Sequence, residues 1–179
     1  RQNMLLVTAA ALQAGLGAIA IERGLRSFPG VPHRLESLGS IHGMHVFNDS
    51  KATNYDAAAV ALQAVPGPIA LLAGGLSKQG DASGWLQLLH DRVCSIALFG
   101  SDREVLRDLI RSSGYTGNVI SHQTMADAVT AAIEQGKSGK ASSLLLSPAC
   151  ASFDQYKDFE ARGNHFRDII QQHSQNQST

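Results

Sequence analysis

The sequence predicts an α/β fold, a mostly parallel six-stranded sheet with one antiparallel strand and helices on both faces, from three observations. From residue 44 onward, apolar runs of strand length alternate with runs of helical pattern, as in parallel strands joined by helical crossovers. Two strand-like runs, 33–41 and 44–49, are separated only by His42-Gly43 and read as a hairpin, the source of the antiparallel strand. Polar or Gly-rich loops follow three of the strand runs, at the edge where open α/β sheets bind ligands.

The first helix spans 3–13, an Ala- and Leu-rich stretch that ends near Gly15 and Gly17. A second helix follows to about Ser27. Phe28-Pro29-Gly30-Val31-Pro32 then breaks the pattern twice and is the best linker in the chain, dividing it into 1–31 and 32–179. After the hairpin, helix 54–64 leads to strand 69–73, and helix 82–91 leads to strand 93–99. Helix 102–113 leads to strand 118–121, helix 124–135 to strand 142–147, and a long helix, 153–172, closes the pattern. The strand runs are short, largely apolar and bounded by turn residues. The tail Ser174-Gln175-Asn176-Gln177-Ser178-Thr179 is polar and expected to fray.

Composition narrows the function. At 179 residues the chain holds one domain, or one domain and a piece of another, with length enough for a full core. Lys+Arg and Asp+Glu both total 15, which argues against bulk attraction to nucleic acid or an anionic membrane. No apolar run reaches the roughly 18 residues of a membrane span, and no signal peptide opens the chain. Two cysteines, Cys94 and Cys150, make no disulfide framework, so a reducing cytoplasm is the default. The start at Arg1, directly in a helical pattern, reads as a fragment cut from a longer protein.

Three polar loops fall at the carboxyl edge of the expected sheet. They are Asn48-Asp49-Ser50-Lys51-Ala52-Thr53-Asn54, Gly74-Gly75-Leu76-Ser77-Lys78, and residues 147–152. Most lysines are solvated surface groups. Lys51 and Lys78, however, lie in small-residue loops at strand ends rather than on helix faces, and two cations at one edge suit a ligand with two carboxylates. Asn48-Asp49-Ser50 is also ordinary turn chemistry, and Arg34 also suits an edge strand, so spacing alone leaves both of these open. Ser152-Phe153-Asp154-Gln155 has the form of a capping box, which predicts Ser152 as the N-cap of the last helix and its free amides as an anion site. Gly136-Lys137-Ser138 imitates the end of a phosphate loop, but Ala131 stands where the first Gly belongs, so it reads as a turn. Cys150 between two alanines reads as a small buried residue. His42 and His45 are a weak metal signal.

These loops, with Phe28-Pro29-Gly30-Val31-Pro32-His33-Arg34 and the stretch from Ser147 through Asn164, resemble the D-glutamate-adding branch of the Mur ligase family along essentially the whole chain. Sister branches carry an Asp-Tyr-Ala-His type of loop where this chain has 48–54, and the diaminopimelate-adding branch has an Asp-Asn-Pro-Arg motif absent here. The resemblance implies that 1–31 ends a central ATPase domain and that 32–179 is a complete, Rossmann-like C-terminal domain. It implies ATP-dependent, magnesium-assisted joining of D-glutamate to UDP-N-acetylmuramoyl-L-alanine through an acyl phosphate, for cell-wall precursor synthesis. By it, Asn3, Arg34 and Asp49 hold ATP, while Lys51, Thr53, Lys78, Ser152, Phe153 and Phe159 surround D-glutamate. The phosphate loop, metal ligands and UDP-sugar pocket would belong to the N-terminal and central domains of the same protein, leaving this fragment inactive alone. One departure is the 74–78 loop, where some relatives have Asp-Gly before the Lys. Two rivals are a non-catalytic module for a nucleotide or acidic metabolite, and another amide ligase such as folylpolyglutamate synthetase, against which the 48–54 loop argues.

Overall fold

The computed structural model describes Gln2–Gln175, apart from the side chains of Gln2 and Asn3. The chain divides into two compact units, one ending at Val31 and the other starting at Pro32. The first holds α1 (Gln2–Gln13) and α2 (Ala18–Ser27). Helix α1 stops where Gly15 turns left-handed at φ 81° and Leu16 N–H reaches back to the Ala11 carbonyl at 3.0 Å. Its Met4, Leu5, Leu6, Val7 and Leu12 are all exposed. A helix apolar on every side is a buried kind of helix. Asn3 lies in α1, with its side chain outside the described residues.

The second unit carries β1 (Glu36–Ile41), β2 (Met44–Asn48), α3 (Tyr55–Ala64), β3 (Ile69–Gly74), α4 (Ser83–Arg92), β4 (Val93–Phe99), α5 (Arg103–Ser112), β5 (Asn118–Ser121), α6 (Met125–Gly136), β6 (Ser143–Leu146) and α7 (Phe159–Gln175). The sheet order is β1-β2-β6-β3-β4-β5. Only β1 is antiparallel, paired with β2, and the other neighbours all run parallel. The expected α/β sheet is therefore observed.

Alternation along β3 shows why its residues are all apolar. Leu71 and Ala73 face one core with Leu62 of α3, Trp85 and Leu89 of α4, and Leu106 of α5. Ala70 and Leu72 face the other core with Val129 and Ile133 of α6 and Phe166 of α7. A strand covered on both faces has no side left for polar residues. Each fully buried Leu or Phe contributes about 1.5–3 kcal/mol, so both layers are needed.

Two expected boundaries are corrected. Residues 33–35 are not strand, because His33 (φ 61°) and Leu35 (φ 46°) are left-handed and turn the chain before β1 begins at Glu36. Residues 153–158 are not helix, for they form turns, and α7 starts at Phe159. The Asp158 carboxylate accepts the Ala161 N–H at 2.6 Å, which makes Asp158 the cap and removes that role from Ser152. At the other end, Ser174 and Gln175 are helical, and residues 176–179 lie outside the described residues. Gly136 ends α6 and Lys137 caps it, as the turn reading required.

Candidate functional site

Strands β2, β6 and β3 are consecutive in the sheet and parallel, so their carboxyl ends place the 48–54, 147–152 and 74–78 loops side by side. Backbone hydrogen bonds stitch these loops together. Asp49 N–H donates to the Leu146 carbonyl at 2.7 Å, and Gly74 N–H to that of Pro148 at 2.9 Å. Leu76 and Ala151 exchange N–H and carbonyl bonds at 3.0 and 2.9 Å, an isolated antiparallel bridge. Gly74 and Gly75 have φ of 134° and 127°, and a Cβ would overlap the carbonyl of Phe99 at the first and of Ala151 at the second. Only glycine lets the backbones approach this closely.

The 48–54 loop is built from buried polar groups. Asn48 Nδ2 shares its hydrogens among His33 Nδ1 (3.0 Å), the Gly163 carbonyl (3.1 Å) and Glu36 Oε2 (3.2 Å), while its Oδ1 accepts Ser50 N–H. An amide nitrogen only donates, so a hydrogen bond from Asn48 Nδ2 to His33 Nδ1 favours the neutral imidazole. Burial lowers the His33 pKa in the same direction. The His33 carbonyl accepts Lys51 N–H at 3.0 Å. Asp49 accepts Leu35 N–H at 3.1 Å through Oδ1 and the Ser147 hydroxyl at 3.0 Å through Oδ2. Burial pushes the Asp49 carboxyl up to about 6, against those hydrogen bonds and the nearby Arg34 charge.

The cations stand at the rim. Lys51 is exposed, with Nζ 4.4 Å from the ring centre of Phe159, the first residue of α7. The same ring meets His33 edge-on at 6.3 Å between centroids. Arg34 and Lys78 are exposed too. Among the described residues neither Lys51 nor Lys78 enters an ion pair. Ser152 is buried, Thr53 is half-buried, and Phe153 is 70% exposed. The structure thus brings Lys51, Phe159 and the His33–Leu35 turn together, with Ser152 on an adjoining loop.

Three supports of the site went unread in the sequence. Arg162, inside α7, is fully buried and donates to Ser50 Oγ (3.0 Å), the Ser50 carbonyl (2.9 Å) and the Cys150 carbonyl (3.1 Å). Asp102, in the loop after β4, accepts Ser77 N–H at 2.7 Å and Ser77 Oγ at 2.6 Å, bonds that lower its own pKa and anchor the residue before Lys78. Asp154 Oδ2 accepts Ser101 N–H at 2.9 Å, tying the turn after Ser152 to that same loop. Gly100-Ser101-Asp102 was readable as a fourth strand-end loop, whereas nothing local marks a helical Arg as buried. Cys150 is buried, and burial pushes its thiol up to about 12, too high for a nucleophile at neutral pH.

Comparison with known proteins bears on this arrangement. Residues 33–150 match the family described as Mur ligase, glutamate ligase domain. The UDP-N-acetylmuramoylalanine--D-glutamate ligase of Prochlorococcus marinus (strain MIT 9313) is 61% identical over 172 residues, 96% of this chain and 37% of that protein. The ligase of the same name from Synechococcus sp. (strain CC9902) is 61% identical over 173 residues, 97% of this chain and 37% of its own length. The chain therefore spans little more than a third of these relatives. In fold it is similar to UDP-N-acetylmuramate-alanine ligase MurC from Thermotoga maritima (TM-score 0.64, 15% identity, 95% of this chain, 37% of that one). It is also similar to E. coli FolC in complex with ADP (TM-score 0.61, 24% identity, 93% of this chain, 38% of that one). A match over well over half of its residues makes this chain a member of the Mur ligase family, carrying the family's glutamate ligase domain.

Proposed function

We propose that the protein containing this chain joins D-glutamate to UDP-N-acetylmuramoyl-L-alanine at the expense of ATP, in the cytoplasm, for cell-wall precursor synthesis. The observation that carries this reading is the meeting of the Lys51, Lys78 and Ser152 loops at one sheet edge. Two exposed ammonium groups there, in no ion pair among the described residues, suit the two carboxylates of glutamate. The relatives' shared name supplies the substrate.

In this reading ATP phosphorylates the carboxylate of the UDP-linked substrate, giving ADP and an acyl phosphate. The amine of D-glutamate attacks the acyl carbon, the new C–N bond forms, and the bond to phosphate breaks from a tetrahedral intermediate. Phosphate leaves, and one proton is released for each amide made. Lys51 and Lys78 orient D-glutamate by its carboxylates, Ser152 and Thr53 offer hydroxyls, and Phe159 and Phe153 wall the pocket. Arg34 and Asp49 meet the nucleotide from this side, with Asn3 near the adenine. Residues 1–31 finish a central ATPase domain and 32–179 form the C-terminal domain, and a site shut off from water would protect the acyl phosphate. Magnesium would neutralise the transferring phosphoryl group. In this reading the residues that would hold it belong to the other domains of the protein.

The test is phosphate release by the full-length enzyme with each substrate omitted in turn, and with L-glutamate replacing D-glutamate. Release that needs ATP, the UDP-linked substrate and D-glutamate together is expected, and the 179-residue chain alone should hydrolyse no ATP. Tight nucleotide binding by the full-length protein without any D-glutamate-dependent turnover would favour a regulatory binding module instead.

A further inference from the structure

The buried guanidinium of Arg162 lies below the junction of the three loops. Its acceptors are one hydroxyl and two carbonyls, on Ser50 and Cys150, and among the described residues it makes no ion pair with a carboxylate. The third loop passes against the same group, since a Cβ on Gly75 would stand 3.2 Å from Nη1. Ser50 Oγ accepts from Arg162 Nε and donates to the Phe159 carbonyl at 2.8 Å, so the hydroxyl relays the clamp to the residue beneath the Lys51 ammonium.

A buried cation is costly unless it is paired, and an apolar side chain of the same volume would pack the site at less expense. Burial brings the guanidinium down to about 10, still well above neutral pH, so its charge persists. The planar fork explains the choice of residue. Five N–H donors in fixed directions reach separate loops at once, which a lysine cannot do.

We propose that Arg162 is a positioning residue for the acidic amino-acid pocket, fixing the spacing of the Lys51 and Ser152 loops and keeping a positive charge beneath them that only the more distant Asp154 carboxylate offsets. This inference rests on the function proposed above. It separates Arg162 from residues that touch substrate, because Arg162 has no exposed surface.

The experiment is steady-state kinetics of the full-length enzyme with D-glutamate, ATP and the UDP-linked substrate varied in turn, alongside melting temperatures. The variants are Arg162→Met, Arg162→Lys and Ser50→Ala. Arg162→Met should raise the KM for D-glutamate about tenfold or more, with the other two KM values within about twofold of wild type. Arg162→Lys keeps the charge without the fork and should recover part of that loss. Ser50→Ala, which removes only the relay hydroxyl, should raise the same KM about threefold with little change in melting temperature. If Arg162→Met does not fold, Ser50→Ala decides alone. A D-glutamate KM unchanged in Ser50→Ala, or all three KM values rising together as the melting temperature falls, overturns the proposal and leaves the function above intact. A wild-type enzyme with no D-glutamate-dependent phosphate release overturns both.

Discussion

The Ser147 hydroxyl donates to the Asp49 carboxylate at 3.0 Å, joining loops 98 positions apart in sequence. The same carboxylate accepts Leu35 N–H, so it also holds the turn that presents Arg34. Asp49 is 5% exposed, and its carboxyl is pushed from 3.8 up to about 6.

That shift has a stability consequence of definite sign. Below about pH 3.8 the group is protonated in both the folded and unfolded states. Between there and pH 6 the folded state binds more protons, so stability falls as pH rises through the window. At neutral pH the full penalty applies, on the order of 3 kcal/mol. Asp49→Asn keeps an acceptor for Leu35 N–H without the charge. We predict that it raises the unfolding free energy at pH 7.5 by roughly 1–3 kcal/mol and flattens the decline between pH 4 and 6.5, in denaturant titrations across pH. A variant less stable than wild type at pH 7.5 contradicts this. The residue is then one whose charge is retained against stability.

Much of this frame was legible in the sequence because it is periodic. Strands β4 and β5 fall on the expected residues, and the 48–54 loop stands out in the sequence by its seven small or polar residues. What escaped is non-local. The Ser152-x-x-Gln155 pattern satisfies a capping rule, but hydrogen bonds from distant loops hold residues 152–158 in turns, and the helix waits for Asp158. Arg162 sits in a sequence context indistinguishable from a solvated helix face, and only the fold places it under two loops.

The displaced helix start gives a direct contrast. Asp158→Ala should cost about 0.5–2 kcal/mol through loss of the cap, while Ser152→Ala should cost no cap energy. Thermal or denaturant unfolding of the two variants distinguishes them. Equal losses would return the cap to Ser152.

Gly74 supplies a test of the loop packing. An alanine there combines φ 134° with overlap on the Phe99 carbonyl, which is backbone and cannot swing aside. Gly74→Ala should destabilise the chain by at least about 2 kcal/mol, whereas Gly114→Ala, also at positive φ but in open space, should cost less. Similar melting temperatures for the two would mean that the loops approach less closely than described.

The pairing of Lys51 and Lys78 with one dicarboxylate is the centre of the account. Lys51 rests over the Phe159 ring, a contact of about 0.5–1 kcal/mol at an exposed site, too weak to hold it from a carboxylate. The most direct measurement is the kinetics of Lys51→Ala and Lys78→Ala in the full-length enzyme, with D-glutamate and the UDP-linked substrate each varied. A charge-assisted hydrogen bond contributes roughly 1.5–3 kcal/mol, so each variant should lose about tenfold to a hundredfold in kcat/KM for D-glutamate. The KM for the UDP-linked substrate should stay within about threefold of wild type. Equal losses for both substrates, or no loss for either, would contradict the account.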